Sequence, residues 1–138
     1  MSSKDVNKNR ILEEFIKLVS FDSESFHERE IGEYLEKKLK DLGLEVTRDD
    51  AKEQILKKDP DRVDTTSNIY GYLKGDVKGE TILFSSHLDT VSPGNGKKAI
   101  VKEDGTITSD GNTVLGADDV SGIVSNVFQK SFQYSSRP

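Results

Sequence analysis

The chain has 138 residues, a formal charge of −5 and no cysteine, and charged residues make up 33% of it. A chain of this length can form one domain with a hydrophobic core. The acidic balance argues against a nucleic-acid partner, and the lack of cysteine excludes disulfides and thiolate metal ligands, so that imidazole and carboxylate groups would have to hold any metal. Because there is neither an apolar export signal nor an apolar run of membrane length, we expect a cytoplasmic protein without a membrane partner.

Two amphipathic helices are predicted near the N-terminus. Apolar residues recur at helical spacing between residues 6 and 20, which predicts the first helix. Ser25 and Glu28 have the spacing of a capping box, which predicts that the second helix begins there. An apolar stripe over residues 31–42 would form the buried face of this helix, and Gly43 is expected to end it.

The rest of the chain alternates between short strand patterns and turns. Residues 44–47 predict a strand, and the charged residues 48–66 predict an excursion over the surface. Residues 68–74 and 80–87 are rich in β-forming residues, and the glycines between them predict a hairpin in which residues 82–86 form a central strand. Two further short strands, at 99–102 and 106–109, are expected around the turn at Asp104 and Gly105, followed by a helix from about Asp119. This alternation predicts an α/β fold.

Two pairs of residues could carry chemistry. In an extended segment His87 and Asp89 project to the same side, so Asp89 can orient the His87 ring, as carboxylates do behind metal-bound histidines. A single histidine after a strand is nevertheless more often a hydrogen-bonded surface or core residue. Asp118 and Asp119 lie where a loop leads into a helix, and adjacent acids at such a place are commonly a solvated helix start. Spacing alone favours that plainer interpretation.

The two pairs together carry a specific resemblance. The segments SHLDTV at residues 86–91 and LGADD at 115–119 occur in this order, about 30 residues apart, with Asp110 and Gly111 between them. They closely resemble the metallopeptidase family that contains peptidase T, carboxypeptidase G and succinyl-diaminopimelate desuccinylase, and the GADD form points to the peptidase T branch. The resemblance spans about residues 8–125.

This resemblance implies a three-layer α/β/α zinc-peptidase catalytic domain with a mixed sheet, present here in incomplete form. It implies a tripeptide aminopeptidase that acts on small peptides and holds two Zn²⁺ ions in its complete site. His87 would then bind one zinc, Asp118 would bridge both, and Asp89 would be the catalytic residue behind His87. Asp119 would be a neighbour that binds no metal, and the peptide bond from Asp118 to Asp119 would be cis.

The same resemblance predicts that this chain is a fragment. The general-base glutamate, the remaining metal ligands and the dimerisation domain of the family all come later in its sequences. Residues 1–125 would be the N-terminal part of the catalytic domain, and residues 126–138 an atypical tail produced by a frameshift, a truncated gene or a cloning boundary. We therefore expect the chain to be inactive alone. Two alternatives remain open, a non-catalytic remnant with weak or no metal binding and one half of a split enzyme.

Three other polar residues receive only structural predictions. His27, the second histidine, lies at the predicted capping box and is expected to have a structural or surface role. Lys97 and Lys98 follow a glycine-containing loop and are expected to be solvated charges.

Overall fold

The computed structural model describes residues 7–76 and 78–133, with side chains as far as Val127. Four helices and four short strands follow one another along this part of the chain, in an α/β arrangement as predicted. In chain order they are α1 (Lys8–Val19), α2 (Arg29–Asp41), β1 (Glu45–Arg48), α3 (Ala51–Lys58), β2 (Ile69–Tyr72), β3 (Ile100–Val101), β4 (Ile107–Thr108) and α4 (Ala117–Gln133).

The hydrophobic core lies among α1, α2 and α4. α1 begins where the Asn7 side chain accepts the Arg10 N–H at 3.0 Å, a helix cap that satisfies one free backbone donor. The apolar stripe of α1 packs against α4, and α2 adds its own buried stripe. The buried apolar residues are Leu18, Val19, Ile31, Leu35, Val120, Ile123, Val124 and Val127. This core fixes the N-terminal end of α4, where the candidate site lies.

The end of α2 was predicted correctly, but the capping box at its start was wrong. Gly43 adopts a φ of +77°, a conformation that costs glycine little, and the helix ends there. At the other end Glu28 is the N-cap residue, and no side chain caps the helix. Ser25 lies too far before Arg29 to reach the first turn, and its hydroxyl donates to Asp89 instead.

The four strands form two antiparallel pairs. β1 pairs with β2 in a register that places Glu45 opposite Tyr72, and β3 pairs with β4 around the predicted turn. Residues 48–66 contain α3, which the sequence analysis missed. The described strands thus form two separate ribbons; a single mixed sheet is not present in this part of the chain.

The predicted hairpin between residues 68–74 and 80–87 was wrong. β2 pairs with β1, and residues 82–86 form no strand. Ile82 and Leu83 are 75% and 83% exposed, and no described strand pairs with this segment. A β-rich sequence forms a strand only where a partner strand accepts its backbone hydrogen bonds.

No helix among the described residues is long and apolar enough to span a membrane.

Candidate metal centre

His87 and Asp118 meet in space although 31 residues separate them in sequence. His87 ends the extended segment that approaches α4, and Asp118 lies at the N-terminal end of that helix. The backbone at Asp118 has a φ of −93° and a ψ of 102°, which is not helical, and the peptide bond from Asp118 to Asp119 is cis, as the resemblance implied. Asp118 Oδ1 lies 3.1 Å from His87 Nε2.

Asp89 holds the other ring nitrogen of His87. His87 Nδ1 lies 2.9 Å from the backbone carbonyl oxygen of Asp89 and 3.2 Å from its carboxylate Oδ1. Because both neighbours are acceptors, Nδ1 carries a proton and donates it. The Nε2 atom is then the nitrogen that faces Asp118 and the cleft, which is the arrangement that a metal-binding histidine needs.

The electrostatic surroundings of His87 favour its protonated form when no metal is bound. Partial burial lowers the pKa of His87, but the hydrogen bond with Asp118 and the carbonyl and charge of Asp89 more than offset burial, so that the pKa is raised above its ordinary value. In its protonated form the ring can donate from Nε2 to Asp118 and from Nδ1 to the backbone carbonyl of Asp89. A metal ion at Nε2 would take the place of a proton that Asp118 already attracts.

Asp119 faces a different partner from Asp118. Its Oδ1 accepts the backbone N–H of Gly122 at 3.1 Å, in the manner of a helix cap. The Asp118 side chain, by contrast, is 96% exposed and reaches towards His87. The geometry thus separates the two adjacent acids into one helix-capping residue and one residue of the candidate site.

Ser25 is a member of this site that the sequence analysis assigned to a different role. Its hydroxyl donates to Asp89 Oδ2 at 2.5 Å, on the side of the carboxylate away from His87. The two residues lie 64 positions apart in sequence, and no local pattern could have joined them. Their neighbours give the reason for the contact, since the Thr90 N–H donates to the Ser23 carbonyl at 2.8 Å and Glu24 forms a parallel bridge with Thr90.

Lys97 is buried next to the candidate site. The prediction that it is a solvated charge was wrong. It is only 4% exposed, and its Nζ donates to the carbonyl oxygens of Phe21 and Gly94 at 2.7 and 2.8 Å. A Cβ on Gly116 would approach Lys97 Cδ to 3.2 Å, so the lysine stem lies close beneath the turn before Asp118. Burial lowers the pKa of Lys97, and the negative charges of Asp22 and Glu24 oppose that shift.

A cleft of about 290 Å³ lies at this site. His87, Asp89 and Asp118 line one side of it, and the turn before α4, including Leu115 and Gly116, lines another. His27 lies outside this cleft, exposed beside Arg62 in a second depression. The structure therefore brings all three predicted site residues together and leaves the second histidine apart from them.

The separation of His87 and Asp118 suits a shared metal ion. Zinc binds histidine nitrogen and carboxylate oxygen at about 2.0–2.2 Å, so two ligand atoms on one tetrahedral ion lie about 3.3 Å apart. His87 Nε2 and Asp118 Oδ1 are 3.1 Å apart, and imidazole with carboxylate is a donor set that zinc accepts. Within residues 7–76 and 78–133, however, no group of three or more potential ligands is arranged to hold a metal. Among the described residues, His87 and Asp118 are therefore two candidate ligands, fewer than the three protein ligands that catalytic zinc commonly has.

Comparison with known proteins gave one sequence relative and two solved structures. No protein-family model matches the chain. It is 45% identical over 122 residues to the uncharacterized protein YqjE of Bacillus subtilis (strain 168), across 86% of this chain and 30% of that protein. It is similar to the crystal structure of a tripeptidase from Staphylococcus aureus subsp. aureus Mu50, with a TM-score of 0.81 and 35% identity over 94% of this chain and 33% of the other. It is also similar to the aminopeptidase PepT from Bacillus cereus ATCC 10987, with a TM-score of 0.76 and 40% identity over 92% of this chain and 34% of the other.

These comparisons extend over most of this chain but only part of the other proteins. The chain spans about a third of the length of the proteins it matches. The likeness supports an α/β fold of the kind seen in the tripeptidase and PepT structures, and it places a peptidase among the functions to be tested.

Proposed function

We propose that this chain forms part of the catalytic domain of a zinc-dependent aminopeptidase of the peptidase T kind, which releases the N-terminal residue of tripeptides or other small peptides. The observation that carries the proposal is the 3.1 Å approach of His87 Nε2 to Asp118 Oδ1, with Asp89 behind the ring. The similarity to a tripeptidase and to an aminopeptidase PepT supports the choice of reaction and substrate class.

Each residue of the candidate centre then has a role. His87 and Asp118 would hold zinc, and Asp89 would keep the His87 ring in the tautomer that presents Nε2. When bound, the metal would supply an activated water and polarise the peptide carbonyl. The peptide would bind in the cleft of about 290 Å³ that Leu115 and Gly116 line next to these residues. Asp119 would cap α4 and bind no metal.

The ligand count sets the expected activity of the chain alone. Catalytic zinc commonly has three protein ligands and an open position, whereas His87 and Asp118 supply two. We therefore expect weak zinc binding and no peptide hydrolysis unless further ligands are provided. This expectation covers both a split enzyme, which a second chain would activate, and a remnant, which no second chain would activate.

Isothermal titration calorimetry with zinc tests the proposal, combined with a tripeptide hydrolysis assay on the same samples. His87→Ala and Asp118→Ala are each expected to weaken binding by about tenfold or more, since each removes one of two ligands. His27→Ala is the matched control because it removes the other histidine and is expected to leave the affinity unchanged. Equal binding by the wild type and both site variants would refute the assignment, and hydrolysis by the chain alone would refute the expected inactivity.

A further inference from the structure

We propose that Ser25 is a positioning residue of the candidate metal centre, acting on His87 through Asp89. The proposal rests on the proposed function for its effect on metal binding. The hydrogen-bond geometry itself does not depend on that function. Three contacts form a continuous series: Ser25 Oγ donates to Asp89 Oδ2 at 2.5 Å, Asp89 Oδ1 lies 3.2 Å from His87 Nδ1, and His87 Nε2 faces Asp118 at 3.1 Å.

A carboxylate with one partner does not have a fixed orientation. The last torsion of an aspartate side chain has broad energy minima, so the plane of the Asp89 carboxylate could rotate about its bond to Cβ. A donor on the second oxygen restricts this rotation, and the Ser25 hydroxyl is that donor. With Oδ2 held, Oδ1 stays within 3.2 Å of His87 Nδ1, next to the Asp89 backbone carbonyl that accepts the Nδ1 hydrogen bond at 2.9 Å. The carbonyl and the carboxylate together then hold the ring so that Nε2 faces the cleft.

The turn that carries Ser25 is itself held at several points. Phe26 has a φ of +71°, an uncommon conformation for a residue with a side chain. Its N–H donates to Glu28 Oε1 at 2.5 Å, and the Arg62 guanidinium lies 3.4 Å from the centre of its ring. The His27 N–H closes the turn on the Glu24 carbonyl at 2.8 Å. Such a backbone persists only where its surroundings fix it, and here they place Ser25 opposite Asp89.

Ser25 and Asp89 are both exposed enough for their hydrogen bond to affect positioning more than stability. Ser25 is exposed and the Asp89 side chain is 39% exposed, so water can replace the serine hydroxyl when it is removed. A hydrogen bond that water can replace contributes little to stability. Water would satisfy Asp89 without fixing its direction, so the loss is expected in the orientation of His87 and in the affinity for metal.

The test compares Ser25→Ala and Ser25→Thr with the wild-type chain, with Ser20→Ala as a control. Ser20 is an exposed serine whose hydroxyl donates only to the backbone of its own helix, at 2.7 Å from the Lys17 carbonyl. Nuclear magnetic resonance of the metal-free chain reports the carboxyl carbon of Asp89 and the ring nitrogens of His87. Calorimetry reports zinc affinity, and urea denaturation reports stability.

We expect Ser25→Ala to shift the Asp89 carboxyl and His87 ring resonances, to weaken zinc binding about tenfold and to leave the urea midpoint close to that of the wild type. Ser25→Thr keeps the hydroxyl and should restore both properties. In an Asp89→Ala background the Ser25→Ala change should alter zinc affinity less than about twofold, because the residue through which Ser25 acts is gone.

Two results would overturn the inference. In the first, Ser25→Ala leaves both the Asp89 carboxyl resonance and the His87 ring resonances unchanged. The other is an equal loss of zinc affinity in the wild-type and Asp89→Ala backgrounds. If the wild type binds no zinc, the proposed function fails, and the metal-free resonances still decide the role of Ser25. If Ser25→Ala does not fold, Ser25→Cys, which keeps a weak donor, gives the same resonance test.

Discussion

Lys97 donates from its Nζ to the carbonyl oxygen of Phe21 at 2.7 Å, across 76 residues of sequence. The same nitrogen donates to the Gly94 carbonyl at 2.8 Å, and the lysine stem lies beneath Gly116. One side chain thus joins the segment after α1, the loop after His87 and Asp89, and the turn before Asp118. We therefore expect this buried cation to help set the spacing between the two sides of the candidate metal centre.

Replacing Lys97 by methionine tests this role, because methionine keeps the stem and removes the donors. Two effects oppose each other, since the change relieves the desolvation of a charge but leaves the Phe21 and Gly94 carbonyls without their partner. We expect the unpaired carbonyls to dominate and the free energy of unfolding to fall by roughly 1–3 kcal/mol in urea denaturation. Lys98→Met, at the exposed neighbouring position, should change it by less than about 0.5 kcal/mol. Equal effects at the two positions would contradict the account.

Gly116→Ala should disturb the turn before Asp118 in two ways, by straining the backbone and by crowding the neighbouring side chains. Gly116 has a φ of +79°, and a Cβ there would lie 3.0 Å from Thr90 Cγ2 and 3.2 Å from Lys97 Cδ. Gly105 has a similar φ of +84° with nothing near its Cβ position, so Gly105→Ala carries only the backbone cost of about 1–2 kcal/mol. We expect Gly116→Ala to be the more destabilising in thermal denaturation and to weaken zinc binding as well. A smaller effect at Gly116 than at Gly105 would contradict this.

Local sequence patterns predicted the elements that depend on nearby residues. The stripes of α1 and α2, the stop at Gly43 and the turn between β3 and β4 are all encoded within a few residues. α3 was missed because residues 48–66 are mostly charged. A signal was present, since Asp49 and Asp50 precede a run of good helix formers, and Asp50 is the N-cap residue of α3 although its side chain makes no capping hydrogen bond.

Other errors concern contacts between distant residues. Residues 82–86 have the composition of a strand, but strand formation depends on a partner that composition cannot specify. The identities of His87, Asp89 and Asp118 came from their resemblance to a family, whereas their spacing alone favoured a plain interpretation. Ser25 and Lys97 act through partners 64 and 76 residues away, which no local pattern contains.

The hydrogen bond from Gly94 to Glu24 predicts a loss of stability in acid. The backbone N–H of Gly94 and then the Ser92 side chain hold the pKa of Glu24 below its ordinary value of 4.5. Because the pKa is depressed in the folded state, this contribution is present above pH 4.5 and is lost as the pH falls through the folded-state pKa. In urea denaturation between neutral pH and about pH 3, Glu24→Gln should lose less stability on acidification than the wild type. Parallel pH profiles for the two proteins would show that Glu24 does not contribute.

The exposed apolar residues Ile82 and Leu83 predict that the chain binds apolar dyes and self-associates. Both residues are more than 70% exposed, at 75% and 83%, and they are adjacent in sequence. We expect the wild-type chain to bind the dye ANS and to associate with rising concentration. Leu83→Asp should reduce both properties, measured by fluorescence and analytical ultracentrifugation. Val63→Asp changes an exposed valine elsewhere, 59% exposed, and should reduce neither as much.

The location of bound zinc is the most direct test of the central claim that His87 and Asp118 form part of a metal centre. Crystals of the chain grown with zinc would show the ion by its anomalous scattering. We expect a peak within bonding distance of both His87 Nε2 and Asp118 Oδ1, with His87 Nδ1 still directed at Asp89. A zinc ion bound at His27, or one that contacts neither His87 nor Asp118, would contradict it.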